Sequence, residues 1–270
     1  TGLSAAENIL IDRDGVITTR NKWELLDAAH YVSAFKHNGV TYAVRGDSPR
    51  QIGIVGEGSF SALDTVAGPV AWTVLLDDPV CTDGEVIRII RDGQVFSLDA
   101  GYFKDDEEDE YQLVPLPGGS HIHYWQGRLL VARGTSLLWS EAMRYGIYSA
   151  TRNFVRFPSK ISWVAPLPTG VYVGIRDNVY FLSGSDPAKF TMRVVSGESA
   201  PGAALVYKAR HVDAAGEEVA LWFTSDGIAI GTQAGTVEYP QKGRLKDLPL
   251  RHGKMVADGD RVTVFTTKEH

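Results

Sequence analysis

Gly127-Arg-Leu-Leu-Val-Ala-Arg-Gly-Thr-Ser-Leu-Leu-Trp-Ser140 and, 43 residues later, Gly170-Val-Tyr-Val-Gly-Ile-Arg-Asp-Asn-Val-Tyr-Phe-Leu-Ser183 follow one plan. A run of β-branched and apolar residues meets a short polar turn, and a second such run follows. Runs of this length and composition are strands, and the turn between them makes a hairpin. The plan recurs at Gly84–Leu98 around Asp92-Gly93, at Val219–Gly231 and at Met255–Phe265. Asn-Gly and Asp-Gly pairs mark the turns at Asp14-Gly15, Asn38-Gly39, Asp83-Gly84, Asp92-Gly93, Asp226-Gly227 and Asp258-Gly259. Both central residues of a type I′ turn need positive φ, which Asn, Asp and Gly tolerate best.

The interval from Gly84 to Gly127 is also 43 residues. A period near this value, with three or four short strands per unit, is that of a β-propeller. The units fall at roughly 30–66, 70–115, 120–157, 160–197 and 203–241, and a last one starts near 248 with only two strands. The hairpin Asn8–Thr19 has no unit of its own. The spacing predicts that it pairs with the C-terminal hairpin Lys254–Thr267 and closes the ring, which removes two open sheet edges. The expected fold is an all-β, single β-propeller of about six blades spanning residues 1–270, with five and seven blades as alternatives.

Composition agrees. The chain has 270 residues, 44% hydrophobic and 22% charged, which excludes a disordered chain, a collagen and a coiled coil. No apolar run approaches the roughly 18 residues of a transmembrane helix. Thr1–Glu7 lack the basic and apolar regions of a signal peptide. The one cysteine, Cys81, excludes an intramolecular disulfide, as expected of a chain made in a reducing cytoplasm. Net charge is −6, so the basic surplus of a protein that grips phosphates is missing.

Candidate chemistry is sparse. His121-Ile122-His123 puts two imidazoles on one strand face, but no third ligand follows nearby, and a structural role is the better reading. Cys81 has no His neighbour in sequence to activate it. Ser225-Asp226-Gly227 is similar to part of the sialidase Asp-box but lacks its Trp, so it is a plain turn. Asp105, Asp106, Glu107, Glu108, Asp109 and Glu110 form an unbroken acidic run within a loop at about 101–118. This is a solvated loop, and a candidate channel-facing or partner-facing element. Glu141–Pro158 is too polar to be strand throughout, yet holds Tyr145, Tyr148, Phe154 and Phe157. Aromatics on a long connection suit either a protein contact or packing on the chain's own blades.

Tyr124–Tyr148, continuing through Arg152–Pro158, Val171–Gly174 and Val179–Phe190, resembles phage and prophage tail proteins. In that family a strand pair ending in Trp/Tyr-Ser-Glu leads into a short arm with Tyr-Gly, as Trp139-Ser140-Glu141 and Tyr145-Gly146 do here. Asn8–Arg20 is similar to the family's N-terminal strand pair, and Ala29-His30 to the start of its first full blade. The resemblance covers most of the chain and is most specific over 121–202. It departs where many relatives insert a β-sandwich, which shrinks here to the acidic loop. The resemblance implies a virion structural protein without enzymatic activity or cofactor, part of the tail nozzle or hub of a short-tailed phage. It would be made in the host bacterial cytoplasm and contact copies of itself in a ring, most simply a hexamer, and other tail proteins. DNA would pass without being held, and the membrane would not be entered. The alternatives are a receptor- or glycan-binding propeller of the tail tip and, behind it, a propeller hydrolase.

Overall fold

The computed structural model of the chain describes residues 9–11, 17–19, 30–46, 48–98, 113–197, 204–208, 217–225, 227–240, 253–258 and 261–266. Strand β1 (Ile9–Ile11) pairs with β2 (Ile17–Thr19). Five four-stranded antiparallel sheets follow, four of them simple meanders. The first is β3 (Tyr31–His37), β4 (Val40–Arg45), β5 (Gln51–Gly56) and β6 (Ser59–Thr65). The second is β7 (Ala71–Leu75), β8 (Asp78–Thr82), β9 (Ile87–Arg91) and β10 (Gln94–Ser97). A short β11 (Leu113–Pro115) then precedes the third sheet, which holds β12 (His121–Trp125), β13 (Arg128–Arg133) and β14 (Ser136–Trp139). The chain next detours through β15 (Ile147–Ser149), which pairs with β11, and returns as β16 (Phe154–Arg156), the fourth strand of the third sheet. The fourth sheet is β17 (Ile161–Leu167), β18 (Gly170–Ile175), β19 (Val179–Ser183) and β20 (Thr191–Ser196). The fifth is β21 (Ala204–Lys208), β22 (Glu218–Thr224), β23 (Gly227–Gly231) and β24 (Val237–Glu238). A hairpin of β25 (Gly253–Asp258) and β26 (Arg261–Thr266) ends the described chain. One short 3-10 turn, Pro187–Lys189, is the only helical element among the described residues.

Each sheet lies inside one unit expected from the sequence. The first strands of successive sheets neighbour one another, β7 against β12, β12 against β17, β17 against β21 and β21 against β25. Radially arranged blades with their first strands innermost make this a β-propeller. Among the described residues β1 pairs with β2 and β25 with β26; no ladder joins the two hairpins.

The apolar face of each sheet is buried against the next. Val44 and Ile52 pack on Cys81 and Ile90 between the first and second sheets. Leu75, Val80 and Ile89 pack on Ile122 and Leu129 between the second and third. Leu130, Leu137 and Trp139 meet Val171 and Val173 between the third and fourth. Trp163 and Trp222 stack between the fourth and fifth, with ring centroids 5.5 Å apart. Trp125, Trp139, Trp163, Tyr172, Tyr180, Phe181 and Trp222 are core residues, and aromatic pairs add about 0.5–1.5 kcal/mol to simple burial. Gly174 stands opposite Trp163 in the β17–β18 ladder, and a Cβ there would collide with the indole.

The turns correct one part of the sequence reading. Asn38-Gly39 (φ 47° and 80°) and Asp92-Gly93 (φ 52° and 73°) are two-residue turns as expected. Leu76-Asp77 (φ 49° and 76°) and Gln126-Gly127 (φ 48° and 72°) have the same form. The first hairpin of the second sheet thus turns without glycine and leaves no Gly signal. Gly84 instead precedes β9, a third strand, whereas Gly127 precedes β13, a second strand. The 43-residue interval between them joins positions that are not equivalent. That from Gly127 to Gly170 joins positions that are.

Candidate functional site

The connection from β14 to β16 is held at both ends. Ser140 Oγ accepts the Leu129 N–H at 3.0 Å. The Glu141 carboxylate accepts from Arg152 at 3.0 Å and from Asn153 Nδ2 at 2.8 Å. The Met143 N–H donates to the Gly127 carbonyl at 2.8 Å, and β15 is clamped by β11. These ties satisfy backbone groups that a loose loop would leave to water. They present Met143, itself at φ 57°, with 65% of its surface exposed. The Tyr145 hydroxyl donates to Met143 Sδ at 3.3 Å. Its ring meets the ring of Tyr124, which is 40% exposed, edge-on at 6.1 Å. Burial and the neighbouring Tyr124 push the Tyr145 hydroxyl above its ordinary pKa.

The four aromatics expected on this arm therefore have different places. Tyr145 is half-buried, with one side packed on the core between the second and third sheets and its ring against exposed Tyr124. Tyr148 and Phe154 are half-buried against the core between the second and third sheets. Phe157 is buried in the core between the third and fourth, with its ring 5.3 Å from that of Tyr180. Sequence reasoning missed Met143 and Tyr124 as members of the exposed cluster. The available signal was Gln126-Gly127, a tight turn that brings the end of β12 beside the arm.

Next to the cluster is an open cleft of about 370 Å³, lined by Tyr124, Trp125, Gln126, Pro166, Pro168 and Glu218. The turn of the third sheet is laced to that of the fourth on this side. Trp125 Nε1–H donates to the Leu167 carbonyl at 2.6 Å and Gln126 Nε2–H to that of Pro168 at 3.0 Å. A tyrosine ring, proline rings and one carboxylate suit an apolar or sugar-like surface.

The remaining candidates are structural. His121 and His123 lie on β12 among the inner strands. Burial pushes His121 down to about 4, with Lys160 adding to the shift, and pushes His123 down to about 3. Both are neutral at pH 7, and no group of three potential metal ligands occurs among the described residues. Cys81 is buried, and burial pushes its thiol up to about 12, so it is no nucleophile. Its neighbour Asp83 accepts the N–H groups of Ala67, Glu85 and Val86 at 3.1 Å and Arg88 Nη1 at 2.8 Å, while Arg88 Nε reaches Asp64 at 3.0 Å. Burial raises the Asp83 pKa, but these donors outweigh it and hold it below the usual value. This network ties the first sheet to the second. The first strands of the five four-stranded sheets contain no Asp or Glu at all, so their inner wall supplies no carboxylate pair. The acidic run Asp105–Glu110 lies outside the described residues.

No family model matches the chain, and no curated protein is similar to it in sequence. Solved structures resemble its fold. The extracellular domain of the putative hybrid two component system BT4673 from B. thetaiotaomicron aligns with a TM-score of 0.55 at 11% identity, over 96% of this chain and 36% of that one. BBS1N, crystallised in complex with ARL6DN, aligns with a TM-score of 0.55 at 12% identity, over 96% of this chain and 83% of that one. PorZ, a surface component of the type-IX secretion system of Porphyromonas gingivalis, aligns with a TM-score of 0.45 at 18% identity, over 91% of this chain and 34% of that one. The chain spans about a third of the length of the PorZ and BT4673 structures. At these identities the likeness is one of fold alone, and none of the three names is that of a phage tail protein.

Proposed function

We propose that the chain is a structural β-propeller of a bacteriophage tail, a nozzle or hub component that works through protein contacts and carries out no reaction. The observation that carries this reading is the arm after Trp139. Ordering a connection costs about 1–2 kcal/mol per residue in backbone entropy. Here the ordered tip leaves Met143 exposed, next to exposed Tyr124 and half-buried Tyr145, instead of adding it to the core. Exposed thioether and aromatic groups on a fixed arm fit a protein partner. The same segment carries the resemblance to tail proteins. Copies would form a ring, most simply a hexamer, that contacts other tail proteins, and DNA would pass without specific binding. We assign the chain six blades, the last made when β1 and β2 join β25 and β26, because β25 already follows β21 in the series of first strands.

The cleft beside Trp125 favours a second reading, a receptor- or glycan-binding propeller of the tail tip. A hydrolase has less support, given first strands without acids in all five four-stranded sheets. Immunogold labelling of phage particles released from the strain that encodes the chain tests the proposal. Label at the distal end of the tail is the expected result. Particles without label, in a lysate that contains the protein, would overturn it.

A further inference from the structure

Charge is divided unevenly along the chain. Residues 113–197, the third and fourth blades with their arm, hold nine Lys and Arg against three Asp and Glu, a surplus of +6 in a chain of net −6. The remaining residues therefore carry −12.

Four of the cations gather at one end of these two blades. Arg133 stands opposite Ser136, and Ser136 opposite Arg156, so both guanidinium side chains start from one row on the same sheet face. The Ile161 N–H bonds the Gly134 carbonyl at 2.9 Å, which sets Lys160 beside the same turn. Ile161 pairs with Ile175, one residue before Arg176. All four are exposed, Arg176 with 87% of its side chain in solvent. Their polar and ring contacts leave the charges unneutralised. Arg133 donates to the Gly118 carbonyl at 3.2 Å, and Arg156 lies over the Phe154 ring at 5.3 Å. Among the described residues, Arg176 alone of the four meets a carboxylate, that of exposed Asp177 at 3.9 Å. Exposed Glu85 is the other acid near this rim, since Gly118 N–H bonds its carbonyl at 3.1 Å.

Resting on the reading that copies assemble, we propose that Arg133, Arg156, Lys160 and Arg176 form the basic half of a head-to-tail contact between copies, which receives the Asp105–Glu110 run of the neighbouring copy. A second copy fits better than nucleic acid. The cations share their rim with Glu85 and Asp177 on a molecule of net negative charge, whereas six consecutive acids in the same sequence supply the complementary charge. A contact between two different patches of identical chains repeats with the same rotation, and it closes into a ring when that rotation divides a full turn. Exposed pairs of this kind weaken as salt shortens the screening length.

Light scattering of the full chain between about 20 and 500 mM salt tests the contact. Three proteins are compared: wild type, the basic-end reversal R133E/R156E/K160E/R176E, and the acidic-run reversal D105K/D106K/E107K/E108K/D109K/E110K. Wild type is expected to associate at low salt and dissociate at high salt. Each reversal alone should stay monomeric, with the melting temperature of wild type. An equimolar mixture of the two reversals should associate again, because each contact then pairs opposite charges. Association of wild type that neither reversal disturbs would overturn the proposal. So would a wild type that is monomeric at every salt concentration while each reversal shifts its melting temperature, since the run would then pair within one chain. Intact association of the basic-end reversal, together with loss of binding to a DNA duplex that wild type binds, would identify phosphate as the occupant and overturn it as well. None of these outcomes depends on where the protein sits in a particle, which the labelling experiment decides separately.

Discussion

Trp125 and Leu167 join the third blade to the fourth: the indole N–H of the first donates to the carbonyl of the second at 2.6 Å, with both residues buried. The bond lies between the turns that end two neighbouring first strands. Thr169, in the latter turn, in turn bonds Gln233 of the fifth blade. Stability of the packed blades is therefore shared by polar ties at the turns and apolar packing between the sheets.

Trp125→Phe keeps most of the side-chain volume and removes the donor, so the buried Leu167 carbonyl loses this partner. The expected loss is about 1–3 kcal/mol. Urea unfolding, followed by the fluorescence of the remaining tryptophans, measures it. An unchanged midpoint would show that the bond contributes nothing net.

Asp83 satisfies three backbone N–H groups and Arg88 at the junction of the first two blades. Asp83→Ala removes the acceptor of the three N–H groups and of Arg88 Nη1, while Arg88 Nε keeps Asp64. The expected cost is about 1–3 kcal/mol. Asp83→Asn, which keeps one acceptor oxygen, should cost less. Equal losses for the two variants would count against the hydrogen-bond account.

His121 and His123 make the fold sensitive to acid. Their folded-state pKa values, about 4 and about 3, lie below the ordinary 6.5, so the unfolded chain binds protons that the folded chain does not. Stability should be flat above pH 6.5 and fall as pH drops below it toward 4. The expected fall is about 1–2 kcal/mol per histidine between pH 7 and pH 5. Thermal melts of wild type and His123→Gln across this range test the sign. The variant should lose about half of the dependence, and a wild-type curve that rises on acidification would refute the assignment.

Deleting residues 1–20 tests the closed ring. Strands that complete the last blade cover a sheet edge, and their removal should lower the melting temperature and promote aggregation. A truncated protein that melts like the full chain would mean that β25 and β26 stand without them.

Much of the architecture was legible in the sequence because hairpins write themselves locally. Apolar runs flank a turn, and turns such as Asn38-Gly39 and Asp92-Gly93 use residues that accept positive φ. Leu76-Asp77 has the same conformation without the usual residues, held by tertiary contacts. His37 Nε2 bonds the Asp77 carbonyl at 2.8 Å, and Asn38 Nδ2 bonds its carboxylate at 3.1 Å. Such long-range ties leave no local trace, and Gly84, a position that is not equivalent, carries the visible 43-residue spacing in their place. The contact surface was half legible. The arm stood out by its polarity and aromatics, but its tip depends on Gly127, Glu141 and Tyr124, which the fold brings together from three separate segments. The basic end is likewise hidden in a net charge of −6, because the surplus of residues 113–197 is cancelled by the rest of the chain.

The central claim is that this propeller serves a phage tail through contacts with its neighbours. Electron cryomicroscopy of tails purified from the strain that encodes the chain tests it most directly. A ring of copies at the distal end, with Met143 and Tyr124 of each copy covered by another chain, is the expected result. Tails that lack the protein, or a ring in which Met143 and Tyr124 face only solvent, would contradict the claim.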